Sequence, residues 1–393
     1  MLSRCGSFLC VAAILMMACT AGTPGTRNAP DPGAASAAQQ ALPAPPPAQS
    51  PQAASPGTAA GAIAASTTPA RTSLPPLTPP IEVKIGVQGS VSDAGFYIAM
   101  ARGYFQELGL NATLETFSAG AAEYVQFIAT NQLQVGGPAS VPALYNAADR
   151  GAVVYVVADK GTFQPGFGHI RLSVRKDLYD SGQVRGLADL KGRTIAIAAP
   201  YSAAHSIASP SLRRIGLRDE DTNIIPVPNP DHIAALANGA VDAAMSLEPI
   251  PTLAVQQGAA VILAEGYTLR PNMQVGLVAF SPQLFENRPA ALRFVTAYLR
   301  AVRDYNDAFA RGVNKDEIIA ILATNTNLKD PAAYAQVVMA GLDPGGTLNI
   351  ASLQEDFDWL KSVGQLPQTL PFPASMFDQT LVREAGEILG PYP

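Results

Sequence analysis

From Val83 onward, apolar positions alternate between two spacings. Val83-Lys84-Ile85-Gly86-Val87 predicts a short strand, and Phe96, Ala99, Met100 and Tyr104 recur at helical spacing over 94–102, with Gly103 placed to end the helix. A strand over 110–117, a helix over 121–131 burying Tyr124, Phe127 and Ile128, a strand at 135–137, a helix over 141–149 and a strand over 153–158 complete a first β/α set. The alternation then repeats. Strands are predicted at 170–175, 194–198, 223–227, 240–245 and 260–264, with helices at 187–192, 205–215 and 250–257. Pro210 lies inside the 205–215 helix and should kink or split it, while Asn229-Pro230 reads as a helix N-cap with proline at the first helical position. After a strand at 275–280 only helical spacing remains. Leu292, Val295, Leu299, Val302 and Phe309 mark a long amphipathic helix, followed by helices over 315–324, 332–340, 352–363 and 376–389.

Two sets of alternating strands and helices argue for two α/β lobes with a helical tail. The preceding chain has another character. Arg4, an apolar run from Phe8 to Met17 and Ala18 directly before Cys19 form a signal peptide over 1–18 with a lipobox-like end. The apolar run falls well short of the roughly 20 residues that span a bilayer, so acylation of Cys19 is the expected anchor. Residues 19–80 are rich in Ala, Pro, Gly, Ser, Thr and Gln and poor in large apolar residues, which predicts a disordered, partly extended tether.

Composition removes several function classes. All three cysteines (Cys5, Cys10 and Cys19) lie at or before the expected cleavage site, so neither a disulfide framework nor a thiolate metal site is expected in the mature protein. Charge is nearly balanced, with Lys+Arg 26 against Asp+Glu 31, and no basic stripe with interleaved aromatics suggests nucleic acid. Neither a G-x-S-x-G elbow nor an H-E-x-x-H metal motif occurs, which argues against an enzyme.

Three landmarks then point to a family. Ala99-Met100-Ala101-Arg102-Gly103-Tyr104-Phe105 followed by Gly109-Leu110 resembles the A-x-x-x-G-Y-F-x-x-x-G-L signature of the substrate-binding proteins of nitrate, sulfonate, taurine and thiamine-pyrimidine importers. Leu187-Ala188-Asp189-Leu190-Lys191-Gly192-Arg193 is similar to the family's L-x-D-L-K-G-K. Residues 235–243, ALANGAVDA, are similar to A-L-x-x-G-x-V-D-A, with Glu248-Pro249 just after. The resemblance implies a two-lobed periplasmic binding protein type II fold with a helical C-terminal tail. Lobe 1 would take residues 81–172, lobe 2 residues 173–275, and 276–393 would return to lobe 1 and form the tail. The crossings would fall near 169–175 and 275–280.

The resemblance also implies a partnership with an ABC permease and ATPase complex and capture of a small molecule outside the cell, by a monomer attached to the membrane through its lipid alone. The expected location is the periplasm or the outer face of the cell membrane. The family's enzymatic branch, the thiamine-pyrimidine synthases, carries a cysteine-rich iron motif that this chain lacks. No cofactor or metal is expected. An enzyme of the thiamine-pyrimidine synthase-like branch and a ligand sensor on the same fold remain the alternatives.

Open α/β sheets bind ligands beyond the carboxyl ends of their strands, where helix N-termini expose N–H groups. That rule nominates Asp93 and Phe96 after the first strand, then Ser118 and Ser140 before later helices. In the second lobe it nominates Tyr201, Ser202 and His205 at a helix start and Glu248 after a strand. Each serine and Asp93 has a competing role as a helix cap. His169 either lines the cleft or braces a crossing. Serines at helix N-termini suit an anion, whereas Asp93 and Glu248 beside Phe96 and Tyr201 suit a flat, partly cationic heterocycle, the reading favoured here.

Overall fold

The structure is a computed structural model and describes residues 74–117, 121–151 and 154–393. Cys19, the signal peptide and most of the proposed tether lie outside the described residues, as does Ser118.

Ten strands form two five-stranded sheets among these residues. The first contains β1 (Ile81–Val87), β2 (Leu110–Thr116), β3 (Val135–Gly136), β4 (Tyr155–Thr162) and β10 (Gln274–Phe280), in the order β2-β1-β3-β10-β4. The second contains β5 (Ile170–Arg175), β6 (Thr194–Ile197), β7 (Asn223–Pro226), β8 (Ala243–Leu247) and β9 (Ala260–Glu265), in the order β7-β6-β8-β5-β9. Each sheet combines parallel pairs, such as β1 with β2 and β6 with β7, with antiparallel pairing to the strand that follows a crossing. The chain passes between sheets through 163–169 and 266–273. Both crossings precede the segments expected from sequence, because 170–175 and 274–280 are themselves strands of the lobe just entered.

The long helix Arg288–Arg311 follows β10 and buries Phe294, Val295, Tyr298, Val302 and Tyr305 against lobe 1. Its partner Ala94–Ala101 approaches closely at Gly95, where a Cβ would stand 2.4 Å from the Tyr298 ring. The signature glycine Gly109 has a related constraint. Its φ is +75°, and a Cβ there would come within 2.4 Å of the Leu77 backbone. Leu74 and Leu77 pack on the lobe 1 core, Leu77 N–H donates to the Leu108 carbonyl (3.1 Å), and Arg293 donates to the Pro75 carbonyl. Residues 74–80, expected to belong to the tether, are instead docked on the fold, because Leu74 and Leu77 pack half-buried against the lobe 1 core.

Two further differences from expectation have local causes. The helix Ala203–Arg214 continues through Pro210. Proline removes the N–H that would bond the carbonyl four residues earlier, and that Ser206 carbonyl accepts instead from Arg270 Nη1 at 3.1 Å. The helix expected over 332–340 shrinks to a 3-10 turn at Pro331–Ala335, after which the Ala340 carbonyl accepts from the Tyr305 hydroxyl (2.7 Å). Side-chain bonding to the long helix replaces regular structure there.

Candidate functional site

Loops at the carboxyl ends of strands from both sheets enclose a cleft of about 430 Å³. Lobe 1 contributes Gln88 after β1, residues 137–139 after β3, and Lys160 near the end of β4. Lobe 2 contributes residues 198–204 after β6, Asn229 after β7 and Leu247 at the end of β8. His169, Val275 and Gly276 come from the crossings and their margins. Most of the wall is aliphatic or proline, with no aromatic residue other than His169 among the described lining residues.

At the lobe 1 edge of this cleft lies a buried ion pair. Lys160 Nζ stands 2.8 Å from Asp93 Oδ1 and donates to Ser92 Oγ at 2.9 Å, with side chains 3% and 1% exposed. Asp93 Oδ2 accepts from the backbone N–H groups of Gln88 (2.8 Å) and Ser90 (3.2 Å), closing a capping box on the turn Val91–Asp93. Asp93 makes no side-chain cap bond to the helix Ala94–Ala101, the competing role expected for it, but closes the preceding turn and holds the lysine that lines the cleft. Gly137 is what lets Lys160 lie here, because a Cβ at that position would come within 2.1 Å of Lys160 Cε.

Three other polar atoms at the cleft are buried without a hydrogen-bond partner: Ser202 Oγ, Asn229 Oδ1 and His169 Nδ1. Ser202 occupies the N-cap position of Ala203–Arg214 yet makes no side-chain cap bond. Asn229 does not cap the following helix as its sequence context suggested. The chain enters that helix through the 3-10 turn Asn229–Asp231, leaving the Asn229 amide oxygen toward the cleft wall. Burial, reinforced by the Lys160 ammonium, pushes the His169 imidazole down to about 3, so it is neutral near pH 7.

The remaining nominated residues sit elsewhere. Phe96 is wholly buried in the lobe 1 core against Phe294 and Tyr298, because it falls on the inner face of Ala94–Ala101. Ser140 is committed to the Tyr145 hydroxyl at 2.7 Å. Glu248 accepts from Arg171 (3.1 Å) and Thr252 (2.9 Å), and burial raises its pKa. Tyr201 and His205 gather around the Trp359 ring, and His205 Nδ1 accepts from the Tyr201 N–H at 3.0 Å. Their contacts belong to an interlobe strap rather than to the cleft. None of these five lines the cleft. With Asp93 neutralised by Lys160 and Glu248 by Arg171, the carboxylates expected to receive a cationic heterocycle are already paired.

Sequence reasoning missed Lys160, Asn229 and Gln88 as cleft residues. Lys160 was missed because β4 was expected to end at Ala158. Asp159-Lys160-Gly161 reads as a polar turn, yet the strand continues to Thr162. Asp159 is tolerated there because Gly161 N–H, Thr162 Oγ1, Gln274 Nε2 and Asp343 N–H all donate to its carboxylate, while burial still lifts its pKa to about 6.

Two sheets with one chain crossing out and one returning, and a cleft at the strand ends between them, define a type II binding-protein fold. The NMT1-like family's sequence pattern matches residues 78–323, and the chain belongs to that family. Among solved structures, the alkanesulfonate-binding protein SsuA from Xanthomonas axonopodis pv. citri, bound to MOPS, is 22% identical. That match has a TM-score of 0.60 and covers 77% of this chain and 99% of the other. The nitrate-binding protein NrtA from Synechocystis is 15% identical at a TM-score of 0.64, covering 79% of this chain and 89% of that one. No curated protein sequence matches.

Proposed function

We propose that this protein is the extracytoplasmic solute-binding component of an ABC importer, anchored through lipid on Cys19 and acting as a monomer. Ligand would enter the cleft and be gripped by Ser202, Asn229 and His169 against the Lys160–Asp93 floor. The loop containing Ser118 follows a lobe 1 strand in sequence and is proposed as a further contact. The observation that carries this reading is the convergence of unpartnered buried polar atoms from lobe 2 and a crossing on one cleft at the strand ends. The names of the similar structures, proteins that bind a sulfonate and nitrate, support the general role.

The test is ligand-dependent stabilisation with concurrent compaction. A true ligand at a hundredfold excess over its Kd should stabilise the fold by about 2.7 kcal/mol. It should also shrink the scattering envelope and be recovered chemically unchanged. Turnover of the bound compound would overturn the receptor reading in favour of an enzyme. In cells, Cys19→Ser should shift the protein from the membrane fraction to the soluble exported fraction, and retention in the membrane would refute the lipid anchor.

A further inference from the structure

Charge accounting at the cleft separates this protein from a simple anion receptor. Lys160 is the one lysine or arginine among the described lining residues. Its ammonium is already matched by Asp93 Oδ1 at 2.8 Å, with both side chains almost fully buried. An anion arriving at Lys160 would therefore meet a pair whose net charge is zero. To draw the ammonium away it would have to leave a buried carboxylate without its counter-charge, a strongly unfavourable exchange. His169 adds no positive charge, because it is buried beside that same lysine and stays neutral.

The rest of the wall points the same way. Pro138, Val141, Ile170, Ala199, Leu247 and Val275 present aliphatic surface, on which a desolvated charge finds no compensation. The start of Ala203–Arg214 offers a partial positive field, which a carbonyl oxygen satisfies as well as an anion does without the anion's desolvation cost. Ser202 Oγ both donates and accepts, Asn229 Oδ1 accepts, and neutral His169 Nδ1 does one or the other according to its tautomer.

Resting on the receptor reading above, we propose that the cleft binds a net-neutral, mainly aliphatic molecule whose polar head both donates and accepts hydrogen bonds, such as a carboxamide or lactam, in place of an anion. The geometry assigns the head to Ser202, Asn229 and His169 and the aliphatic body to the apolar wall. Asp93 becomes the specificity-determining residue, since it cancels the lysine charge that an anion would need.

Titration calorimetry with two matched probe series tests this on the purified protein: aliphatic primary carboxamides of three to six carbons and the corresponding alkane-1-sulfonates. The carboxamides should bind at least tenfold tighter than sulfonates of equal length, with affinity unchanged between low and high salt. Ser202→Ala should weaken the best carboxamide about tenfold at unchanged melting temperature. Asp93→Asn should raise sulfonate affinity at least tenfold by freeing Lys160. Should Asp93→Asn not fold, the Ser202→Ala result and the wild-type preference decide alone. A wild-type preference for the sulfonates would overturn the neutral-ligand inference and leave the receptor reading standing. Failure of both series to bind overturns the inference, and the receptor reading falls with it only if the stabilisation screen above also finds no ligand.

Discussion

Two buried ion pairs border the space between the lobes, and they are built differently. Lys160–Asp93 lies within lobe 1, and its carboxylate is satisfied locally by the Gln88 and Ser90 N–H groups. Arg270–Asp356 joins lobe 2 to the tail helix Ile350–Ser362, which packs on lobe 1 through Leu353, Phe357 and Leu360. Asp356 is fully buried, its Oδ2 has no hydrogen-bond partner, and burial raises its pKa. Trp359 of the same helix donates to Ser209 Oγ and meets Tyr201 and His205. The first pair is the one proposed to set what the cleft recognises, and the second ties one lobe to the other. The two pairs thus use the same chemistry, and only the origin of the partners distinguishes them.

Breaking the strap should cost most. Arg270→Met leaves Asp356 uncompensated and the Ser206 carbonyl without its donor, so unfolding free energy should fall by about 4 kcal/mol in a denaturant titration. A loss below 1 kcal/mol would show that the strap is not formed in solution. Lys160→Met should cost less, about 3 kcal/mol, because Asp93 keeps its two backbone donors. If the two variants lost equal stability, local capping of Asp93 would have no energetic weight.

Acid should sharpen the contrast further. The folded-state pKa of His169 is depressed, so its contribution is present above its ordinary value near 6.5 and is lost as pH falls toward about 3. Half-buried His205 and buried His232 shift in the same direction, both through desolvation. Asp159 acts oppositely: its raised pKa favours the fold at low pH, and that contribution is lost as pH rises through about 6. His169→Gln should therefore flatten the acid limb by at most about 1.4 kcal/mol per pH unit. An unchanged limb would mean that His169 is not buried as a neutral ring.

The smallest effect is a coupling. Pro210→Ala restores a helical donor for the Ser206 carbonyl, so it should recover about 1 kcal/mol in the Arg270→Met background but much less in the wild type. Additive changes would show that Arg270 does not serve that carbonyl.

The order of strands and helices was legible because periods of two and 3.6 persist within each lobe. The cleft was legible only in part. Ser202 stood out at a helix start after a strand, and Asp93 stood out as a charge on the loop after β1. Their meaning depended on residues far away in sequence. Lys160 pairs with Asp93 across 67 positions, and Gln274 and Asp343, two of the donors that satisfy Asp159 inside β4, come from far along the chain. Tyr201 and His205 looked like ligand contacts because nothing near them announced Trp359. Local pattern reports which side chains begin near the strand ends, whereas tertiary partners determine which remain free.

The docking of Pro75 and Leu77 has a mechanical consequence. Leu77 is bonded to Leu108, Pro75 to Arg293, and β1 begins only a few residues later. A pull applied to the chain upstream of Leu74 is therefore delivered into the lobe 1 sheet and the long helix. It bypasses both crossings, so a load entering at Leu74 is not carried by the two segments that join the lobes.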